Sequence, residues 1–244
     1  MLATTRTSRI LSGIAAGVFA VTVLILGLPS ALAEEQSALA EGARLYDKWY
    51  KVIDTRAPKV AHPAYPSDKK YAKKPGANWR CKECHGWDGK GRDGAYATGK
   101  HHTGIKGINA MMGADPAAVV AVLKDATHRY GEEMNDGALG KLALFVSRGQ
   151  IDYDRYIDAG TKKVKGGDAV LGEAYFNTIC ANCHGTKGNL PKDMGKTLAK
   201  QMGNPWEVMH KIINGQPGEQ MPALRALDRQ IVIDIMAHIA TLPQ

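Results

Sequence analysis

The chain has 244 residues, of which 44% are hydrophobic and 23% are charged, and it contains four cysteines. This length suggests one or two domains, and the composition excludes a collagen, a coiled coil, a disordered chain and a polytopic membrane protein. The formal net charge is +8, and because the basic residues are spread along the chain, this charge favours electrostatic docking to a partner protein over nucleic-acid binding.

A secretory leader is predicted at residues 1–33. Arg6 and Arg9 precede the apolar run 10–28, and residues 31–33 have the small-x-small pattern that a signal peptidase reads. The alternative is an uncleaved anchor, since an apolar run of this length just spans a bilayer. With cleavage after the leader, the mature protein is expected in the periplasm and without a transmembrane segment.

All four cysteines belong to two copies of the pattern C-x-x-C-H, which are Cys81-Lys82-Glu83-Cys84-His85 and Cys180-Ala181-Asn182-Cys183-His184. This pattern is the attachment signature of c-type haem. The two thiols form thioethers with the porphyrin, and the adjacent histidine binds the iron. A redox-active dithiol, a structural disulfide and a zinc site are the alternatives. Two copies without any further cysteine predict two covalently bound haem c groups.

The surroundings of the two motifs form a repeat. A glycine followed by an aromatic residue begins a predicted helix before each motif, at 42–46 and at 172–176. Downstream, Asp115-Pro116 and Asn204-Pro205 are each predicted as an N-cap and the first residue of a helix. Apolar periodicity predicts helices at 117–126, 139–146, 206–214 and 231–242. The chain is therefore predicted to be all-α, with two tandem helical domains.

The predicted first domain covers residues 34–159 and the second covers residues 169–244. A linker rich in lysine and glycine, residues 160–168, separates them. The first domain contains the insert 47–80, which holds four prolines and several lysines. We expect the insert to be an ordered loop that covers a haem edge or a partner surface.

Taken together, the two C-x-x-C-H motifs, the preceding Gly-aromatic helices and a later methionine before a final helix resemble the class I c-type cytochromes in their tandem dihaem form. The resemblance covers nearly all of the mature chain, although the insert 47–80 departs from the family pattern. It implies two small helical bundles, each around one haem with histidine and methionine as axial ligands. It also implies that Gly172 lets the N-terminal helix of the second domain approach Ile235 and Ile239 closely.

The distal ligand of the second haem is expected to be Met221, because the family places its methionine in a Met-Pro sequence and Pro222 follows here. Met202 and Met194 are the alternatives, and a methionine that only fills the core would look the same in sequence. The resemblance also implies a proline carbonyl that accepts a hydrogen bond from the proximal imidazole. Pro191 is the candidate for this role.

For the first haem, the proximal ligand is His85 and the expected distal ligand is Met134, the repeat equivalent of Met221. A histidine in this place would give bis-histidine ligation and a lower reduction potential. The competing residues are Met111, Met112, His101, His102 and His128. No proline lies between His85 and Pro116, so a carbonyl within 86–94 is expected to accept the hydrogen bond from His85.

Two haems with both axial positions filled leave no iron site open to a substrate. The predicted function is that of a periplasmic dihaem cytochrome without catalytic residues. It would carry single electrons between the donor and acceptor proteins of a respiratory or photosynthetic chain. Lysines near the motifs are expected to steer an acidic partner, namely Lys82, Lys90, Lys100, Lys187 and Lys192.

A haem enzyme with the first haem as its active site is the first alternative. Dihaem cytochromes that oxidise thiosulfate look similar at the motifs, but this resemblance implies a cysteine as distal ligand, and all four cysteines here serve attachment. A peroxidase-like site would need a displaceable sixth ligand. The second alternative is a haem subunit of a larger dehydrogenase or membrane complex, which docks through the insert 47–80.

Overall fold

The computed structural model describes residues 11–244, with side chains from residue 31 onward. Residues 1–10 of the predicted leader, 1–33, lie outside the described residues, and residues 11–30 are described by their backbone alone. Within the described part of the chain, no helix is both long enough and apolar enough to cross a membrane. Residues 38–244 form one compact unit.

Helices make up the regular structure of residues 11–244, which contain isolated β-bridges but no β-strand. The α-helices are α1 (Leu11–Val52), α2 (Pro75–Asn78), α3 (Cys81–His85), α4 (Pro116–Lys124), α5 (Asp136–Leu144), α6 (Ala169–Ile179), α7 (Ala181–His184), α8 (Leu198–Gln201), α9 (Pro205–Asn214) and α10 (Arg229–Ile239). Short 3₁₀ turns lie at Gly99–His101, Asn109–Met111, Tyr130–Glu132, Tyr153–Arg155 and Lys192–Met194, and a π turn covers Phe145–Gly149. This content agrees with the predicted all-α class.

The starts of α4 and α9 lie where the sequence predicts them. Asp115 caps α4, because its carboxylate accepts a hydrogen bond from the Ala117 N–H at 2.9 Å. In α9 the proline is again the first helical residue, but the side chain of Asn204 donates to Glu207 at 3.1 Å and makes no capping bond to the backbone. The proline therefore marks the start of α9 without a side-chain cap.

A glycine lies at the central helix crossing of each half. At Gly172, where α6 crosses α10, an added Cβ would lie 1.9 Å from the Asp234 carbonyl oxygen. At Gly42, where α1 crosses α5, it would lie 2.1 Å from the Lys141 carbonyl oxygen. No side chain fits at either place, so only glycine permits these approaches. The close approach predicted at Gly172 is thus confirmed, but the residues of α10 nearest to it are Asp234 and His238 instead of Ile235 and Ile239. Gly42 has the same role in the first half.

The helices that cross at these glycines each contribute to one of two apolar cores. The first is built mainly by α1, α4 and α5 and includes Trp49 and Leu139. The second is built mainly by α6, α9 and α10 and includes Phe176 and Ile235. Burial of such side chains is the main stabilising contribution to each half.

Residues of the first half also enter the second core. Trp87 lies two residues after the first C-x-x-C-H motif, and it is buried in the second core together with Tyr96. Tyr153 and Ile157, which precede the predicted linker, lie in the same core. The second core is therefore completed by side chains from outside the predicted second domain.

Polar contacts join α1 to α9. The guanidinium of Arg44 donates to the Asn214 carbonyl at 2.7 Å, and the buried His210 bonds the Ala43 carbonyl through Nε2 at 3.0 Å. Asp47 is buried and accepts hydrogen bonds from Arg80 and from Lys211, the latter at 3.0 Å. These groups would be unpaired if the helices separated, so the contacts fix α1 against α9.

The insert 47–80 is ordered and wraps the segment that enters the first motif. The buried Asn78 accepts a hydrogen bond from the His62 N–H at 3.0 Å and donates to the Tyr71 carbonyl at 3.0 Å. The indole of Trp79 donates to the Val60 carbonyl at 2.8 Å. These contacts hold the loop against the polypeptide just before the first cysteine.

Candidate haem-binding sites

The first motif forms the single helical turn α3, which begins at Cys81 and ends at His85. Residues three and four apart share one face of such a turn, so both thiols and the imidazole project together. Burial raises the pKa of the Cys81 thiol to about 11 and that of the Cys84 thiol to about 12. All four cysteines lie within the described residues, and none of them forms a disulfide. Two free thiols beside an imidazole are the groups that covalent haem attachment requires.

The imidazole of His85 is held through Nδ1, which bonds the Lys106 carbonyl at 2.8 Å. This bond leaves Nε2 as the free coordinating atom. Burial lowers the pKa of His85 to about 4, so the ring is neutral near pH 7 and its Nε2 lone pair is available. The expectation of a carbonyl within 86–94 is wrong, because the loop after the motif turns back and pairs Gly91 with Lys106.

His128 lies opposite His85. The two ring centres are 6.4 Å apart and the ring planes differ by 25°. The Nδ1 atom of His128 bonds the Asp125 carboxylate at 3.0 Å, which leaves its Nε2 free as well. The backbone carbonyl of His128 accepts a hydrogen bond from Nε2 of His62 at 3.1 Å. His62 is itself buried, so this bond ties the insert 47–80 to the first site.

The other ligand candidates near the first motif have different surroundings. Met134 is buried in the first core, where its N–H donates to the Tyr130 carbonyl at 2.9 Å. His101 bonds Glu83 through Nδ1 at 2.6 Å, and His102 bonds the Tyr96 carbonyl at 3.1 Å. Met112 is exposed.

Aromatic side chains enclose the first cysteine. The Tyr130 hydroxyl lies 3.9 Å from the Cys81 sulfur and donates to the Trp79 carbonyl at 3.0 Å. The indole of Trp49 donates to the same carbonyl at 2.9 Å. Trp79 and Tyr130 meet edge to face with ring centres 5.5 Å apart. This packing keeps water away from the Cys81 thiol.

Lys82 is buried, with 5% of its surface exposed, so the prediction that it steers a partner is wrong. Its ammonium group donates to Glu83 at 2.8 Å and lies 5.1 Å from the centre of the Trp87 ring. Lys90 is half-buried and pairs with Asp154. The remaining three lysines of that prediction are exposed: Lys100, Lys187 and Lys192.

The second motif begins at the end of α6 and continues as the short helix α7. His184 bonds the Leu190 carbonyl through Nδ1 at 3.0 Å, so its Nε2 is also free. The prediction that Pro191 accepts this bond is therefore wrong by one residue. Burial raises the pKa of the Cys180 thiol to about 11, and Cys183 is exposed.

The distal candidates of the second site are all partly buried. Met221 and Met202 pack against the second core, and Met194 is half-buried. Met221 lies in the loop between α9 and α10, as the sequence predicts. The assignment of Met221 as ligand stays a prediction.

Among the described residues, no group of three or more His, Cys, Asp or Glu side chains lies close enough to hold a bare metal ion. A structural zinc site needs four such ligands. The zinc interpretation of the motifs therefore has no support in this part of the chain, whereas the cysteine and histidine positions fit a haem at each motif.

A comparison with protein families adds an independent observation. The family model of cytochrome c oxidase, cbb3-type, subunit III matches residues 167–239, which include the second motif and Met221. No curated protein and no solved structure shows a significant match to the chain. The family match supports a c-type cytochrome with covalently bound haem c, which acts in electron transfer.

Proposed function

We propose that the protein is a periplasmic dihaem c-type cytochrome, which carries single electrons between donor and acceptor proteins of a respiratory or photosynthetic chain. The observation that carries the proposal is the equivalent geometry of the two motifs. His85 and His184 each bond a backbone carbonyl through Nδ1, at 2.8 and 3.0 Å. Such a bond fixes the tautomer and the ring orientation of an iron-ligating histidine.

The residues that would hold the two haems are Cys81, Cys84 and His85 in the first half and Cys180, Cys183 and His184 in the second. A bound haem supplies one-electron redox chemistry at its iron. The chain contributes the orientation of the two proximal imidazoles and, around the first motif, a buried apolar environment that excludes water. These are the protein's means of setting a reduction potential, and they do not need a catalytic side chain.

A fixed spacing between the two sites supports internal electron transfer. The segment after His85 inserts Trp87 into the second core, and Asp47 on α1 pairs with Lys211 on α9. Both motifs lie in the one compact unit 38–244, and packed interiors resist deformation. The distance over which an electron passes from one motif to the other would therefore stay constant.

The exposed lysines support a protein partner with an acidic surface. Lys187 follows the second motif and Lys100 lies in the loop after the first. Without Arg6 and Arg9 of the leader, the formal net charge falls from +8 to +6. Such a basic surface speeds the encounter with a negatively charged partner, and this attraction weakens as salt is added. The expected partners are a periplasmic or membrane-bound electron donor and acceptor.

The test is to export the protein together with a haem-ligation system and to measure its mass. We expect a chain that begins at Glu34 and carries two covalent haems, and two one-electron steps in a redox titration. Cys84→Ala and Cys183→Ala are matched controls, because each should leave one intact motif. A mass that corresponds to one haem or none in the unmutated protein would contradict the dihaem assignment. Stoichiometric carbon monoxide binding by the unmutated reduced protein would favour an enzyme instead.

A further inference from the structure

When the two halves are aligned at the N-caps of their last helices, the equivalent positions differ from those obtained by matching residue types. Asn135 caps α5 by accepting a hydrogen bond from the Ala138 N–H at 2.9 Å, and Asp228 caps α10 by accepting one from the Gln230 N–H at 2.8 Å. The seventh residue before Asp228 is Met221 and the seventh residue before Asn135 is His128. In this register Met134 corresponds to Leu227 and not to Met221.

The two imidazoles of the first half are spaced as two axial ligands of one metal would be. Metal–imidazole bonds are about 2 Å long and a ring centre lies about 1 Å beyond its nitrogen, so two coaxial ligands have centres about 6 Å apart. The centres of His85 and His128 are 6.4 Å apart. Both rings make their hydrogen bond through Nδ1, to Lys106 and to Asp125 respectively. Nε2 of each ring is therefore left for the metal.

The turn that carries His128 is held from several sides. The Asp125 carboxylate accepts hydrogen bonds from the N–H groups of Thr127 and His128, at 2.9 and 2.8 Å. Nε2 of His62, in the insert 47–80, bonds the His128 carbonyl. Arg129 adopts the left-handed conformation with φ of 56°, which a non-glycine residue keeps only where its surroundings enforce it. The insert that sets the first half apart from the second thus helps to position His128.

Met134, by contrast, has the environment of a core residue. It is 5% exposed and belongs to the same apolar cluster as Tyr130 and Leu139. Its register equivalent, Leu227, has no coordinating atom. Methionine is a common filler of apolar gaps, and this role accounts for Met134 without a metal.

We propose that His128, through Nε2, is the sixth ligand of the first haem, which is therefore bis-histidine ligated while the second haem keeps methionine. The proposal rests on the proposed function, since it requires a haem at the first motif. Because imidazole favours ferric iron more than a thioether does, the first haem has the lower potential. Electrons then rest preferentially on the second haem, so the first is the entry site and the second is the exit site.

The test uses the mature protein with both haems attached and reads the far-red Met–Fe³⁺ charge-transfer band, which a bis-histidine haem lacks. The unmutated protein should show the band of one haem. His128→Met should double its intensity and raise one of the two potentials. His128→Ala should bind one carbon monoxide per reduced molecule, where the unmutated protein binds none. Met134→Leu is the matched control and should leave the band, the potentials and carbon monoxide binding unchanged.

The proposal is overturned if Met134→Leu halves the band or opens a carbon monoxide site, or if His128→Met changes neither the band nor a potential. His128→Met keeps a ligand in place, so it gives a result even where His128→Ala does not fold. Mass spectrometry of each variant counts the haems separately. A missing first haem in the unmutated protein would refute the proposed dihaem function itself, whereas two haems with methionine on both would refute only the ligand assignment.

Discussion

Asp47 offers a sharp test of how the two halves are held together. Its carboxylate is 1% exposed and accepts hydrogen bonds from Arg80 and from Lys211 of α9. Burial alone would raise the pKa of Asp47, but the two cations outweigh this effect and hold the pKa below its ordinary value. The Asp47→Asn substitution keeps the shape of the side chain and removes its charge. Arg80 then loses its carboxylate partner, and Lys211 keeps the longer ion pair with Glu207, at 3.7 Å.

The expected loss follows from these contacts. Removing one partner of a buried ion pair costs about 3–5 kcal/mol. The side chains of Arg80 and Lys211 are 18% and 20% exposed, so water stabilises them in part, and the lower end, about 3 kcal/mol, applies. For a folded unit of about 200 residues, each kcal/mol moves Tm by about 2–4 °C. Asp47→Asn should therefore lower Tm by about 6–12 °C at pH 7.

The pH dependence gives a second, independent signature. Since the pKa of Asp47 is lower in the folded state than the unfolded value of about 3.9, its stabilisation is complete above that value and is lost as the pH falls through the folded pKa. The difference in Tm between Asp47→Asn and the unmutated protein should be constant from about pH 5 to pH 8 and shrink below about pH 4.

Thermal unfolding of the haem-loaded proteins, followed by circular dichroism, measures both effects. Asp68→Asn is the control, because Asp68 pairs with Lys69 at the surface and its side chain is 71% exposed. That change should shift Tm by less than about 2 °C. The reasoning is refuted if Asp47→Asn unfolds within about 2 °C of the unmutated protein at pH 7.

Three further predictions concern packing, protonation and ligation. Gly172→Ala should lower the free energy of unfolding by about 3 kcal/mol, since the new Cβ would lie 1.9 Å from the Asp234 carbonyl oxygen. Gly140→Ala is the control inside α5, because no atom lies within 4 Å of the added Cβ, and it should raise the free energy of unfolding by about 0.5–1 kcal/mol. If urea unfolding shows the same change for both substitutions, the close helix crossing at Gly172 is contradicted. Burial lowers the pKa of His210 in the folded protein to about 4. In the unfolded chain the pKa of a histidine is about 6.5, so the unfolded state takes up the proton at a higher pH. The free energy of unfolding should therefore fall by about 3 kcal/mol as the pH falls from about 6.5 to 4. His210→Gln should remove that slope in urea titrations at several pH values, and an unchanged slope would exclude this histidine as its source. Met221→Ala should abolish the Met–Fe³⁺ band and lower the reduction potential of one haem, by a fraction of the roughly 0.8 V over which axial ligands set haem potentials. An unchanged redox titration would point to Met202 or Met194 as the distal ligand instead.

The helix starts and the close helix crossings could be predicted because they depend on residues that are neighbours in sequence. Asp115-Pro116 carries a cap and the first helical residue together. Gly172 precedes an aromatic residue by the spacing that puts both on one helix face. Such signals do not need knowledge of the distant parts of the chain.

The hydrogen-bond acceptors of the proximal histidines could not be predicted in the same way. Lys106 is 21 residues beyond His85, and its carbonyl reaches the ring only because the loop pairs Gly91 with Lys106. Any residue type supplies a backbone carbonyl, so the sequence has no signal for it. Leu190 differs from the predicted Pro191 by one position, which a family pattern without coordinates does not resolve.

The two candidate distal ligands of the first haem come from two different alignments of the repeat. Matching residue types pairs Met134 with Met221, whereas matching the caps Asn135 and Asp228 pairs His128 with Met221. Helix caps are fixed by backbone geometry and side-chain types are not. Confirmation of His128 as the ligand would make the distance to the next cap the better guide to equivalent positions in a diverged repeat.

The placement of Trp87 and Tyr96 in the second core has a consequence for how such proteins evolve. An internally duplicated chain begins as two interchangeable modules, each of which folds alone. Once aromatic side chains of one copy are part of the core of the other, the second copy no longer folds as an independent domain. A gene fusion that transferred only residues 169–244 would carry an apolar surface that lacks its cover. Recombination would therefore transfer the two halves together, and new partners would have to arise by changes at the surface of the whole pair.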